Sequence, residues 1–94
     1  MLKIITVCGN GIGSSLMLAQ IIKKLVKEWN IEANISSSDL MSAKSETADL
    51  FITANRLASE LDNKNVVIIR SYTNKTKVIE DIKEKIVNLS NQGR

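Results

Sequence analysis

Hydrophobic positions along the chain change period several times, and each change marks a new element. Leu2 to Val7 is a short apolar run rich in β-branched side chains that leads at once into a Gly-rich stretch, the signature of a buried strand feeding a tight turn. From Ser14 to Trp29 the apolar residues Leu18, Ile22, Leu25 and Trp29 recur at spacings of four, three and four. Lys23, Lys24, Lys27 and Glu28 fall on other faces, so the stretch predicts an amphipathic helix. Ile31 to Ser37 then alternates, with Ile31, Ala33 and Ile35 on one side, as in an edge strand with one better-buried face. Ser38 to Thr47 mixes Ser, Asp, Lys and Glu with Leu40, Met41 and Ala43, a pattern for a short, poor helix or an irregular crossover.

The second half repeats the alternation. Asp49 to Ala54 predicts a third strand, Asn55 a cap for a short helix running to Leu61, and Asn65 to Arg70 a fourth strand. Val78, Ile82, Ile86 and Leu89 restore helical spacing after Thr73 or Asn74 as N-cap, with Asp81 and Lys85 placed to form an i, i+4 pair. Strands alternating with helices imply parallel pairing, because each return to the sheet needs a crossover and the crossovers cover both faces. The expectation is a three-layer αβα sandwich around a four-stranded parallel sheet in the order 2-1-3-4, with residues 1–94 forming one domain.

Length and composition narrow the options. The 94 residues suffice for one modest core, and 44% hydrophobic with 24% charged residues is the balance of a globular protein. The formal net charge is +3, with basic residues scattered through helical stretches, and there is one residue each of Phe, Trp and Tyr. Nucleic-acid binding by a basic, aromatic-lined surface is therefore disfavoured. A single Cys excludes an intramolecular disulfide, and the opening residues read into a strand rather than a secretory signal, so a reducing cytoplasmic setting is expected. No apolar run approaches the roughly 18 residues of a membrane span, so membrane contact is expected only through a partner. The absence of His removes the commonest metal ligand and the usual neutral-pH general base; no metal, no cofactor and a monomer are expected.

The candidate chemistry lies in Cys8-Gly9-Asn10-Gly11-Ile12-Gly13-Ser14-Ser15. In open α/β sheets ligands bind beyond the carboxyl ends of the strands where strand order reverses, here between strands one and three, and Cys8 falls there. Glycines at 9, 11 and 13 free the backbone to turn several N–H groups toward one anion, and the helix beginning near Ser14 adds the positive end of its dipole. A dianionic phosphoryl group would find backbone donors and the Ser14 and Ser15 hydroxyls, and the same field favours the nucleophilic thiolate. Asn10 can donate through its side chain or permit a left-handed turn, and Ile12 offers an apolar contact to a partner or packs beneath the loop. A blander reading makes Cys8 a small hydrophobe ending a strand.

Related motifs fit less well. Ser14 stands where a dinucleotide fingerprint counted from Gly9 needs its last glycine, and no Gly-Lys-Ser/Thr follows as in a Walker loop. Small cysteine phosphatases carry Cys, five residues, then Arg; here Ser14 takes the Arg position, so the bidentate clamp that drives hydrolysis is missing. Transfer to another acceptor is then favoured over release as phosphate. A small cysteine phosphatase or arsenate reductase, and a regulatory binding module with unphosphorylated Cys8, remain the alternatives. Arg56 and Arg70, with Asp39 and Tyr72, share the rim with Cys8; the two arginines are candidate contacts for an acidic partner or ordinary solvated charge. Trp29 reads as packing.

Ile5-Thr6-Val7-Cys8-Gly9-Asn10-Gly11-Ile12-Gly13-Ser14-Ser15 resembles the phosphorylation loop of IIB components of the bacterial sugar phosphotransferase system, the ascorbate and galactitol group above all. The similarity runs on through Ala48-Asp49-Leu50-Phe51-Ile52-Thr53 and Leu57-Ala58-Ser59-Glu60-Leu61. The resemblance implies a Rossmann-like, flavodoxin-like fold. It implies a phosphotransferase in which Cys8 accepts phosphoryl from a phosphohistidine of a IIA protein and donates it to a substrate held by a membrane IIC transporter. The Cys-Gly-Asn-Gly start followed by Gly-Ser-Ser favours L-ascorbate or a related sugar or polyol.

Overall fold

A computed structural model describes residues 2–8, 13–61, 65–71 and 74–92, with Ser14, Arg56 and Gln92 described in backbone only. The chain runs β1 (Leu2–Cys8), α1 (Gly13–Glu28), β2 (Ala33–Asp39), α2 (Leu40–Ser45), β3 (Leu50–Ala54), α3 (Asn55–Ala58), a 3-10 turn (Ser59–Leu61), β4 (Val66–Ile69) and α4 (Lys75–Gln92). All strand pairs are parallel and the sheet order is β2-β1-β3-β4, the expected topology.

The two faces of the sheet carry unequal cores. Ile4, Ile35, Leu50, Ile52 and Ile69 face Leu18, Ile22 and Leu25 of α1 and Val78, Ile82 and Ile86 of α4. On the opposite face Ile5, Val7 and Phe51 meet Ala43 of α2 and Leu61 of the 3-10 turn, with Leu40, Ala48 and Val66 packed partly buried around them. The two long amphipathic helices therefore share one side, and the short elements cover the other. Ile4 to Cys8 are buried without interruption, because β1 is covered above and below.

Three expectations shift for local reasons. The second strand begins at Ala33 rather than Ile31 because α1 ends in a Schellman closure. Asn30 takes φ 57, its N–H bonds the Lys27 carbonyl, and the Ile31 N–H bonds the Val26 carbonyl at 2.8 Å. Ile31 is thus spent on capping, while β2 runs on to Asp39 because its ladder with β1 stays in register to the pair Cys8 and Asp39. Asn55 is not a cap but the first helical residue of α3, with Ala54 in the cap position and no side-chain bond there. Asn74 does cap α4, its Oδ1 accepting the Lys77 N–H at 3.1 Å; Thr73 lies outside the described residues. Asp81 does not pair with Lys85; its carboxylate accepts the Arg70 backbone N–H at 3.0 Å and the Arg70 Nε–H at 3.1 Å.

Candidate functional site

Cys8 ends β1 at the point where the sheet grows in both directions, with β2 on one side and β3 on the other. Its side chain lies on the same face as Ile4 and Thr6, by the two-residue alternation of a strand, and that is the face under α1. The thiol is free, and the residue keeps 7% of its surface. α1 starts at Gly13 with no acidic residue in its first turn, so its positive dipole end is not offset there.

Two buried threonines set this geometry. The Thr6 hydroxyl, wholly buried, donates to the Ser15 carbonyl at 2.7 Å and so pins the first turn of α1 to the strand bearing Cys8. Thr53, also wholly buried, donates to the Val7 carbonyl at 3.1 Å, joining β1 to β3 beyond the last ladder pair, Thr6 with Ile52. Neither was singled out from sequence, although a hydroxyl residue in an otherwise apolar buried strand signals a polar group with a fixed partner.

Gly9, Asn10, Gly11, Ile12 and Tyr72 lie outside the described residues, and the side chains of Ser14 and Arg56 are not described. Ser15 is wholly buried in the first turn of α1. Gly13 does not use the freedom expected of it: its φ is not left-handed, and a Cβ there would meet nothing within 4 Å.

Asp39 pairs in register with Cys8 on the adjacent strand, so the two Cα atoms are direct neighbours. Its carboxyl is held below the usual carboxylate range by the Ser42 hydroxyl first and by nearby backbone amides of α2, against a smaller opposing effect of desolvation. The carboxylate sits at the N-cap position of α2 but closes no capping hydrogen bond there. Arg70 directly follows β4, but its guanidinium is engaged within the chain, at 2.8 Å from Glu80 and 3.1 Å from Asp81. Those two partners, Glu80 ahead of Asp81, hold its pKa above the usual arginine value.

An apolar rim was not evident from the sequence. Leu16 and Met17 in the first turn of α1 are 44% and 52% exposed, and Met41 in the first turn of α2 is 73% exposed. Both helices start at the carboxyl ends of the strands, beside Cys8 and Asp39 respectively. Leu16 and Met17 lie off the buried stripe of Leu18, Ile22 and Leu25, and that excess of apolar residues over what a core needs was the available signal. Among the described residues no group of three or more potential metal ligands occurs, and no helix is long and apolar enough to cross a membrane.

Both the fold and the sequence have relatives. The fold matches a low molecular weight protein tyrosine phosphatase from Bacillus subtilis with a TM-score of 0.55, covering 98% of this chain and 95% of that one at 12% identity, a likeness of fold alone. In sequence, the chain is 33% identical over 91 residues to the ascorbate-specific PTS system EIIB components of Salmonella typhimurium and Escherichia coli O157:H7, covering 87% of this chain and 90% of theirs. The Shigella boydii protein of the same name is 34% identical over 74 residues, 73% of each chain. Residues 3–88 match the family described as PTS system, Lactose/Cellobiose specific IIB subunit. A match of that extent, on a parallel sheet whose first strand ends in Cys8, makes the chain a member of the IIB family of the phosphotransferase system.

Proposed function

We propose that Cys8 is a phosphoryl carrier between a IIA protein and a substrate held by a IIC membrane transporter. The observation that carries the reading is the position of Cys8, at the carboxyl end of β1 on the face beneath the first turn of α1. In the first step the Cys8 thiolate attacks the phosphorus of a phosphohistidine on IIA. The S–P bond forms as the P–N bond breaks, and the imidazole leaves with the bonding pair. In the second step a substrate hydroxyl attacks phosphorus, the S–P bond breaks, the hydroxyl proton passes to solvent, and the thiolate is restored.

Such transfers depend on alignment and on charge stabilisation at the equatorial oxygens. The N-terminus of α1, with no acidic residue in its first turn, supplies positive potential where phosphoryl charge has to be held. The Leu16, Met17 and Met41 rim gives partner proteins an apolar contact around the cysteine. The ascorbate-specific names of the relatives support L-ascorbate or a related sugar or polyol as the eventual acceptor. The protein then works at the inner face of the membrane through its IIC partner.

The test mixes the chain with a phosphorylated IIA partner and follows intact mass and peptide maps. Phosphoryl retained on Cys8, absent in Cys8→Ser, is the expected result. Rapid release of inorganic phosphate points instead to a phosphatase, and an unmodified chain to a regulatory module.

A further inference from the structure

β2 is an edge strand whose hydrogen-bonding groups divide cleanly. The Leu2 N–H bonds the Glu32 carbonyl while Leu2 is the register partner of Ala33, so residues 32, 34, 36 and 38 turn their backbone groups toward β1. By the same alternation Ala33, Ile35 and Ser37 turn theirs outward, and among the described residues nothing pairs with them. Two common devices that blunt an exposed edge are missing, since the chain has no Pro and β2 has no Lys or Arg, and at seven residues β2 is the longer of the two edges, β4 having four.

A groove of about 450 Å³ runs beside this edge, between β2 and the C-terminal half of α1. Its floor is Val26, Ile31 and Ile35, and its charged groups are Lys23 and Lys27 from α1 against the single acid Glu32. The charge selects the occupant. If a second copy paired its own β2 across a twofold axis, the two α1 helices would lie on one side and bring Lys23 and Lys27 toward their counterparts, with two lysines for each glutamate. An acidic strand meets the opposite balance.

We propose that the outer edge of β2 receives an extended, acidic segment of a partner protein as an added strand. Its backbone pairs with Ala33, Ile35 and Ser37, an apolar side chain lies over Val26 and Ile35, and a carboxylate faces Lys23 and Lys27. The added strand lies about 10 Å from β1, two strand spacings away, and this docking does not depend on the chemistry of Cys8.

A random-peptide display library selected on the intact chain, followed by amide hydrogen exchange with a synthetic copy of the selected peptide, tests this. Enrichment of Asp and Glu in extended sequences is expected, with protection of the Ala33, Ile35 and Ser37 amides on binding. The double substitution Lys23→Glu, Lys27→Glu weakens binding by about tenfold, as expected for two partly exposed ion pairs. Ser37→Pro removes an outward N–H without breaking a bond to β1, so it keeps the cooperative unfolding transition and loses the peptide. Basic or uncharged selected peptides, protection elsewhere, unchanged affinity in both variants, or concentration-dependent protection of the same amides in the chain alone would each overturn the proposal.

Discussion

Thr6 places a hydroxyl where the surrounding strand is apolar, and its bond to the Ser15 carbonyl explains why. Thr6→Val keeps the shape and removes the donor, leaving a buried carbonyl with one partner fewer. A loss of about 1–3 kcal/mol in denaturant unfolding is expected, with slower phosphoryl uptake by Cys8 because the first turn of α1 is no longer pinned to β1. Asp81 is a second residue whose partner was not visible in sequence. Partial burial works against its charge, but the Arg70 N–H and guanidinium prevail and hold its carboxyl below the usual range. Its side chain is 15% exposed against 60% for Glu80, so solvent screens the Glu80 contact more and Asp81 is the structurally weightier partner. Asp81→Ala is expected to cost about 1–2 kcal/mol and Glu80→Ala much less. Because the Asp81 pKa is depressed in the fold, the unfolded chain binds more protons as pH falls below about 4, and the stabilisation present above that range is lost. Urea titrations between neutral and acidic pH should show this slope in the native chain and a shallower one in Asp81→Ala.

The long elements were legible because a single periodicity decided them. α1 and α4 each carry an apolar stripe with a partner face to bury, and β1 carries a run that suits burial on both sides. Ile22→Ala, at a wholly buried position under α1, should cost about 2–5 kcal/mol in thermal or denaturant unfolding. The boundaries were less legible, since they depend on which backbone groups find partners. Asn30 could be read as a turn residue, yet its left-handed φ and the bond from Ile31 to Val26 displaced the start of β2 by two residues. Asn74 and Asn55 look alike in sequence, each preceding helical spacing, but only Asn74 has an N–H three residues on that reaches its Oδ1. Asn74→Ala should lower stability by about 1 kcal/mol by equilibrium unfolding, the ordinary cost of an N-cap.

At the scale of the whole molecule, the unequal cores give the sheet one heavily packed face and one thin one. The thin face rests on Ala43 and Leu61 alone among the fully buried residues of α2 and the 3-10 turn. Native-state hydrogen exchange should therefore show α2 and α3 opening at lower free energy than α1 and α4. The sequence by itself determined the order of elements, the parallel sheet and the placement of Cys8 at its switch point, because hydrophobic period and crossover geometry are properties of the chain read locally. Tertiary structure alone decided that Arg70 is tied to Asp81 and Glu80, that Asp39 stands beside Cys8, and that Leu16, Met17 and Met41 remain exposed near the starts of α1 and α2. The ion pairs of Arg70 and the pairing of Cys8 with Asp39 join residues from 10 to 31 positions apart, and a single sequence records no distance between them.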